Sequence, residues 1–532
     1  MMGHKERTFA PLSNVSLDDL VPRDHFYRHV ERALDLSFVR DLVAPSYAAG
    51  GRPSIDPVVV FKLQLVLFFE GLHSERQLMR VVADRLSVRW YLGYDLGEAL
   101  PDHSSLTKIR DRYGLDTFRR FFDAIVERCR DAGLVWGKEL YVDATKVDAN
   151  ASTDSVCPRF AVEAHLQRLF DMESAPADDP GEAAPDALPV PISPAARDAL
   201  AAENAARQEW LAAEGRPDRT IVRAHYQRLS DFKASRMDPD ATLMQRKGGG
   251  AHFGYHDHYV VDGGKARIIL QALVTPSDVM ENQPMRDLVW RARFRWALRP
   301  AHVTGDTTYG TIENIVALED EHIRAYMPLP DMDARTDLFG KQEFRYDPTR
   351  NVYVCPQGQL LFFNHHAYTV REIRYRATPE VCNTCTVKAR CTTSDRGREV
   401  SRHFEEAYLE RVRAYHATEA YQKARRKRQV WVEPLFAEAK DWHGLRRFRL
   451  RGLTKVNIEG VFTATGQNVK RLLSKRGWGR RPWPGGAAGL IVGLLNPTYP
   501  HVLLVYWSIP PPVSGSETPL APAESATRDW ID

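Results

Sequence analysis

Three acidic residues offer the most specific chemistry in this 532-residue sequence. Asp143 closes the strand-like run Glu139-Leu140-Tyr141-Val142, and Asp306 follows the strand-like run Ala301 to Gly305. Glu433 lies in a late basic stretch that predicts a helix. The ends of strands in α/β sheets are where ligands collect. Carboxylates suit hard cations such as Mg²⁺, which keep several waters and complete their shell with a substrate phosphate. Two such ions about 3.5–4 Å apart activate an attacking oxygen and stabilise a leaving one. Taken singly, each acid reads first as a helix cap or turn former. Well over a hundred residues separate each from the next, so only the fold can unite them.

Several neighbours extend this set. Glu433 and Lys440 are seven residues apart, two helical turns, and so share a helix face. Lys440 could hold a DNA phosphate there, or it is a surface lysine. Tyr309, three residues after Asp306, either stacks on or bonds to substrate or packs at a strand end. Lys146 is a further phosphate-contact candidate. Around them lies a basic block. Residues 401–482 hold 20 Lys and Arg against 8 Asp and Glu, although the whole chain carries only +4. Arg425, Arg426 and Arg428 precede Trp431, and Arg446, Arg447, Arg449 and Arg451 surround Phe448. Such groups replace the counterions condensed on phosphates and position a nucleic-acid backbone without reading its sequence. A solvated charged helix surface would show the same composition.

The words around the acids are distinctive together. They are Asp143-Ala-Thr-Lys-Val-Asp-Ala-Asn150, Gly305-Asp306-Thr-Thr-Tyr309-Gly310, and Val432-Glu433-Pro434-Leu435-Phe436 followed by Leu445-Arg446-Arg447-Phe448-Arg449-Leu450-Arg451-Gly452-Leu453. In this order, from about residue 5 to about residue 477, the chain resembles the DDE transposases of bacterial insertion sequences. The branch in question has an InsH-like N-terminal region and a cysteine-bearing insertion. That resemblance implies an α/β, RNase H-like mixed-sheet catalytic core with Asp143, Asp306 and Glu433 as its metal-binding triad, holding two Mg²⁺ or Mn²⁺ ions. It implies binding to terminal inverted repeats, cleavage at the element ends and transfer of the 3′ ends to target DNA. The partners would be double-stranded DNA and a second copy of the chain in a synaptic complex. Related families often place Tyr and Arg seven and four residues before the Glu; here Arg426 and Gln429 stand there, with Tyr421 and Arg428 nearby. Pro434 predicts that a helix starts or kinks beside Glu433.

Four cysteines form a second constellation. Cys355-Pro-Gln-Gly358 is followed by Cys382, Cys385 and Cys391. Four thiolates could close one tetrahedral structural zinc site; the alternative is reduced, partly buried thiols. Cys129 and Cys157 look incidental.

The elements that must position these groups read as follows. Residues 1–135 are helical, compatible with helix-turn-helix DNA binding or with a plain bundle. Ser74 is an expected N-cap with Gln77 at the capping-box position, and Ser104 or Ser105 an expected cap before Leu106. Residues 136–477 form the catalytic domain: a strand to Asp143, a hairpin 258–262 and 267–274 about Gly263-Gly264, a helix 282–297, a strand 301–305, a helix 311–321 and a strand 322–327. Two insertions interrupt it, an acidic Ala- and Pro-rich segment at 153–235, with one helix expected at 193–214, and the cysteine-bearing segment at 330–405. Residues 478–532 read as a disordered tail.

Composition excludes little else. The chain is 43% hydrophobic and 27% charged, ordinary for a protein of several globular domains. Asn496-Pro497 and Pro500 break the apolar stretch from Gly486 to Trp507, against a membrane span. No secretory leader is visible at the N-terminus, and six cysteines do not make a secreted disulfide framework. A cytoplasmic, nucleoid-associated protein is expected. Two alternatives remain at this stage: an RNase H-fold nuclease without strand transfer, and a transposase-derived repressor that binds DNA without cutting it.

Overall fold

A run of thirteen residues with apolar side chains on every face, Pro57 to Phe69, is a helix that must be buried all round. In the computed structural model it is α2, with Asp56 as N-cap accepting from the Val58 amide at 2.9 Å. The structure describes residues 16–48, 54–158, 233–245, 250–330 and 337–479. The expected helix at 193–214 and nearly all of the tail lie outside those residues. Around α2 pack α1 (Phe26–Ala33), α3 (Glu75–Asp84) and α4 (His103–Asp131). Ser74 caps α3 by accepting from the Gln77 amide at 3.0 Å, as its sequence signature predicts. The cap of α4 is Asp102, which accepts from the Ser104 amide at 2.8 Å. Ser104 and Ser105 are therefore inside the helix, a correction: the carboxylate two residues upstream reaches the orphan amides first. Gly114, at φ 66°, kinks α4.

The sheet begins with β1 (Glu139–Asp148). The strand was expected to stop at Asp143, but it runs five residues further because the long β5 (Ala251–Asp262) pairs antiparallel with it as far as Asp148. β6 (Ile269–Pro276) returns as the expected hairpin and pairs with the other edge of β5. α5 (Met285–Arg295) leads to β7 (His302–Thr304), parallel to β1, and α6 (Ile312–Asp320) leads to β8 (Arg324–Tyr326), parallel to β7. The order across the sheet is β6-β5-β1-β7-β8, with β4 (Thr242–Gln245) also paired to β5. Because β7 pairs only with residues 139–141 of β1, Asp143 clears its end. The segment 159–232 leaves and re-enters through a short antiparallel ribbon, β2 (Val156–Pro158) with β3 (Lys233–Ser235).

A second sheet of five antiparallel strands follows β8: β9 (Arg345–Asp347), β10 (Val352–Val354), β11 (Leu360–Ala367), β12 (Glu372–Arg376) and β13 (Glu399–His403), paired in sequence order. It has its own small core of Phe344, Tyr353, Leu361, Tyr375 and Val400. The chain then returns through α7 (Glu406–His416), α8 (Glu419–Trp431), α9 (Glu433–Trp442) and α10 (Leu453–Lys475).

α10 closes the molecule. It packs on α4 and along β6, with Phe462 stacked on Phe121. Asn457 bonds through both amide atoms to the Val274 backbone at 2.9 and 2.8 Å, and Asn468 does the same to Ile269 at 2.9 and 2.8 Å. Eleven helical residues rise about 16 Å and five strand residues span about the same, so the two spacings match. The β6 register shifts by one at Leu270, which turns both Ile269 and Val274 toward the helix. The free edge of β6 is thus covered, a standard defence of an edge strand.

Candidate active site

Asp143 and Glu433, from distant parts of the chain, face the same guanidinium. Arg428 Nη1 donates to Asp143 Oδ2 at 2.8 Å, and its Nη2 stands 3.7 Å from Glu433 Oε1. Asp143 and Arg428 are mostly buried, whereas 55% of the Glu433 side chain is exposed. Arg428 lies in the last turn of α8, and α9 starts at Glu433 with Pro434 in its first turn, where the missing amide costs no helical bond. The break that Pro434 predicted is therefore at Val432, a fully buried residue. α8 is held against the hairpin end of the sheet by three contacts: Trp431 Nε1 donates to Gly264 O at 2.8 Å, Arg267 Nη1 donates to Val430 O at 3.4 Å, and Lys427 pairs with Glu139 at 2.5 Å.

Asp306 follows β7 and caps a short turn, its Oδ1 accepting from the Thr308 amide at 2.8 Å. Its negative charge is felt at Asp143. Burial pushes the Asp143 carboxyl up to about 7, Arg428 and the Ala144 amide oppose this, and the charges of Asp306 and Glu281 add to it. Glu281, in the turn after β6, is an acid that the sequence reading missed. Burial and then the Asp306 charge raise its carboxyl, and it stands 3.6 Å from His256 Nε2. An acid in a polar turn carries no motif; only the fold, which brings its charge within reach of Asp143 and Asp306, marks it.

The other expected residues divide. Lys440 reaches the site face of β1, its Nζ donating at 2.6 Å to Oγ1 of Thr145, two residues beyond Asp143. Lys146 donates to the Gln245 carbonyl at 3.1 Å. Tyr309 is only 1% exposed, so it packs in the core and offers no ring for a base to stack on. Arg425 and Arg426 are exposed on α8. Arg446 pairs with Asp441, Arg449 with Glu459 at 3.4 Å, and Arg451 Nε donates to Asn150 O at 2.9 Å. The backbone around Arg447 pairs with that of Asp148, Asp148 N donating to Arg446 O and Phe448 N to Asp148 O, so this arginine run lies along the end of β1. Of this run, Arg446 and Arg449 are thus paired with acids of the chain itself.

Cys355, Cys382, Cys385 and Cys391 line one pocket with Phe339 and Arg398. All four are free thiols. Backbone amides point at two sulfurs, Gln359 N to Cys355 Sγ at 3.3 Å and Arg398 N to Cys382 Sγ at 3.4 Å. Burial raises the Cys391 thiol, Arg398 lowers it, and the other three thiols add to the rise. Cys129 lies apart, buried in the main core.

Among the described residues, no three His, Cys, Asp or Glu side chains are already gathered as a metal shell. The donor chemistry still fits hard cations at the acids. Asp143, Asp306 and Glu433 offer carboxylate oxygens, and Asp143 resists ionisation through burial, with the like charges of Asp306 and Glu281 adding to it, the situation a cation relieves. No helix among the described residues is long and apolar enough to cross a membrane.

Comparison with known families places both ends of this fold. Residues 15–112 match a transposase domain (DUF772), and residues 354–473 match a transposase DDE domain. No curated protein and no solved structure matches. The first match covers most of the helical region, and the second runs from the cysteine sheet through Arg428, Glu433 and Lys440 to α10; together the two matches support an insertion-sequence DDE transposase.

Proposed function

We propose that the chain binds the terminal inverted repeats of its element, cleaves there and joins the 3′ ends to target DNA. In this reading Asp143, Asp306 and Glu433 are the metal-binding triad of an RNase H-like core spanning 136–477. The strand order β6-β5-β1-β7-β8, three antiparallel strands followed by two parallel ones, supports that core. The observation that carries the reading is the meeting of Asp143 and Glu433 at one guanidinium, with the Asp306 charge acting on Asp143. The helical region up to residue 135 would grip DNA, and two copies would synapse two ends.

Chemically, the three acids would hold two Mg²⁺ or Mn²⁺ ions, which supply positive charge to a phosphodiester and acidify a bound water. The chain's own groups do the positioning. Lys440, on the face of Asp143 and Thr145, would hold a phosphate oxygen, and the exposed Arg425 and Arg426 would track the backbone. Water attacks first; the freed 3′-hydroxyl then attacks target DNA. No covalent protein intermediate is needed, so alignment and electrostatics supply most of the rate. The four cysteines would hold a separate structural zinc, with the two N–H···S bonds supporting thiolate character.

Labelled element ends, Mg²⁺ or Mn²⁺ and a target plasmid test the proposal. Asp143→Ala should abolish cutting and joining, by about three orders of magnitude or more, while end binding persists. Cutting that survives the substitution refutes the assignment. Cutting without joining by the unaltered chain would make it a nuclease instead.

A further inference from the structure

We propose that Arg428 is a built-in stand-in for the metal: it holds Asp143 and Glu433 together while no divalent ion is bound, and it must leave for the carboxylates to take one up. The inference rests on reading those two acids as metal ligands. Its geometric basis is the 2.8 Å pair with Asp143 and the 3.7 Å approach to Glu433 through different nitrogens of one guanidinium. That places a full positive charge between two carboxylates, where Asp306 and Glu281 add further negative charge. Without it, these acids would repel one another apart.

The backbone beneath Arg428 is fixed by Trp431 on Gly264 and by Lys427 on Glu139, so the side chain alone is the moving part. Arg425, one helical turn earlier, is exposed. A guanidinium released from the acids would emerge beside that group, and a DNA phosphate offers it the same two-armed partner that a carboxylate does. Metal entry would then free Arg428 for DNA, and DNA would hold Arg428 away from the acids. By linkage each ligand strengthens the other, because the metal takes the acids from Arg428 and DNA takes Arg428 from the acids.

The test measures Mn²⁺ binding to the full chain without DNA, by calorimetry and by electron paramagnetic resonance. Arg428→Ala should bind Mn²⁺ roughly tenfold more tightly than the unaltered chain, a difference of about 1.4 kcal/mol. Arg428→Lys, which keeps the charge but not the two arms, should fall between. Arg425→Ala removes the same charge one turn away and should leave Mn²⁺ affinity unchanged. Adding a duplex of the element end should tighten Mn²⁺ binding to the unaltered chain and do so far less in Arg428→Ala. Equal or weaker binding by a folded Arg428→Ala, or the same gain in Arg425→Ala, overturns the stand-in while leaving the ligand assignment in place. Undiminished Mn²⁺ binding by Asp143→Asn sinks the ligand assignment and the stand-in together.

Discussion

Asp257 lies opposite Thr145 across the β1–β5 pair, fully buried beneath the face that carries Asp143 and Lys440. Burial pushes its carboxyl up to about 8, with the Lys440 charge pulling it down. In the unfolded chain it titrates near its ordinary value of 3.8. The folded chain therefore keeps a proton that the unfolded chain gives up between those values. The resulting stability is full below the lower one and is lost as pH rises toward about 8. Replacing it with Asn should flatten the fall in unfolding free energy between roughly pH 5 and 8, by up to about 1.4 kcal/mol per unit. Urea titrations at several pH values would show it, and identical slopes would count against the burial argument. At this scale the sequence was informative where chemistry has a local word. Asp143, Asp306 and Glu433 stand in such words, and two of the three meet at one side chain. Glu281 has no such word, and the choice between a stacking and a packed Tyr309 depends on neighbours far away in the chain.

At the scale of elements, alternation and apolar runs located β6, β7, β8 and the helices between them within a few residues, but only the last five residues of β5, which begins at Ala251. They failed where a distant partner sets the length. β1 runs past Asp143 because β5 extends alongside it, and nothing in the residues after Asp143 says so. The contacts of α10 were equally hidden. No sequence signal marks Asn457 and Asn468, and both are buried and bonded to the edge of β6. Asn468→Ala should leave the Ile269 amide and carbonyl buried without partners and lower stability by roughly 1–3 kcal/mol. Denaturant unfolding measures the loss; a neutral result would mean that water replaces the side chain.

The whole molecule joins a helical region to a mixed sheet, and a cysteine sheet lies in sequence between β8 and the helices that carry Arg428 and Glu433. Its small core of aromatic and aliphatic residues is thin for five strands, which is where a metal staple has the most effect. Purified chain should contain close to one zinc, by elemental mass spectrometry, and Cys385→Ser should lose it while Cys129→Ser keeps it. Four freely titratable thiols in metal-free, folded protein would exclude the site. The amino-acid order revealed these cysteines as a group, but not that Arg398 and Phe339 line the pocket with them.

The last helix has a consequence for synthesis. Because α10 supplies the cover for β6 and the final packing on α4, ribosomes must deliver residues up to Lys475 before the earlier elements can complete a stable structure. A message terminated before Leu453 would release chains with a naked strand edge and a half-covered bundle. Such fragments would precipitate or be degraded instead of occupying DNA ends, so early stop codons in this gene should behave as simple losses rather than as dominant inhibitors.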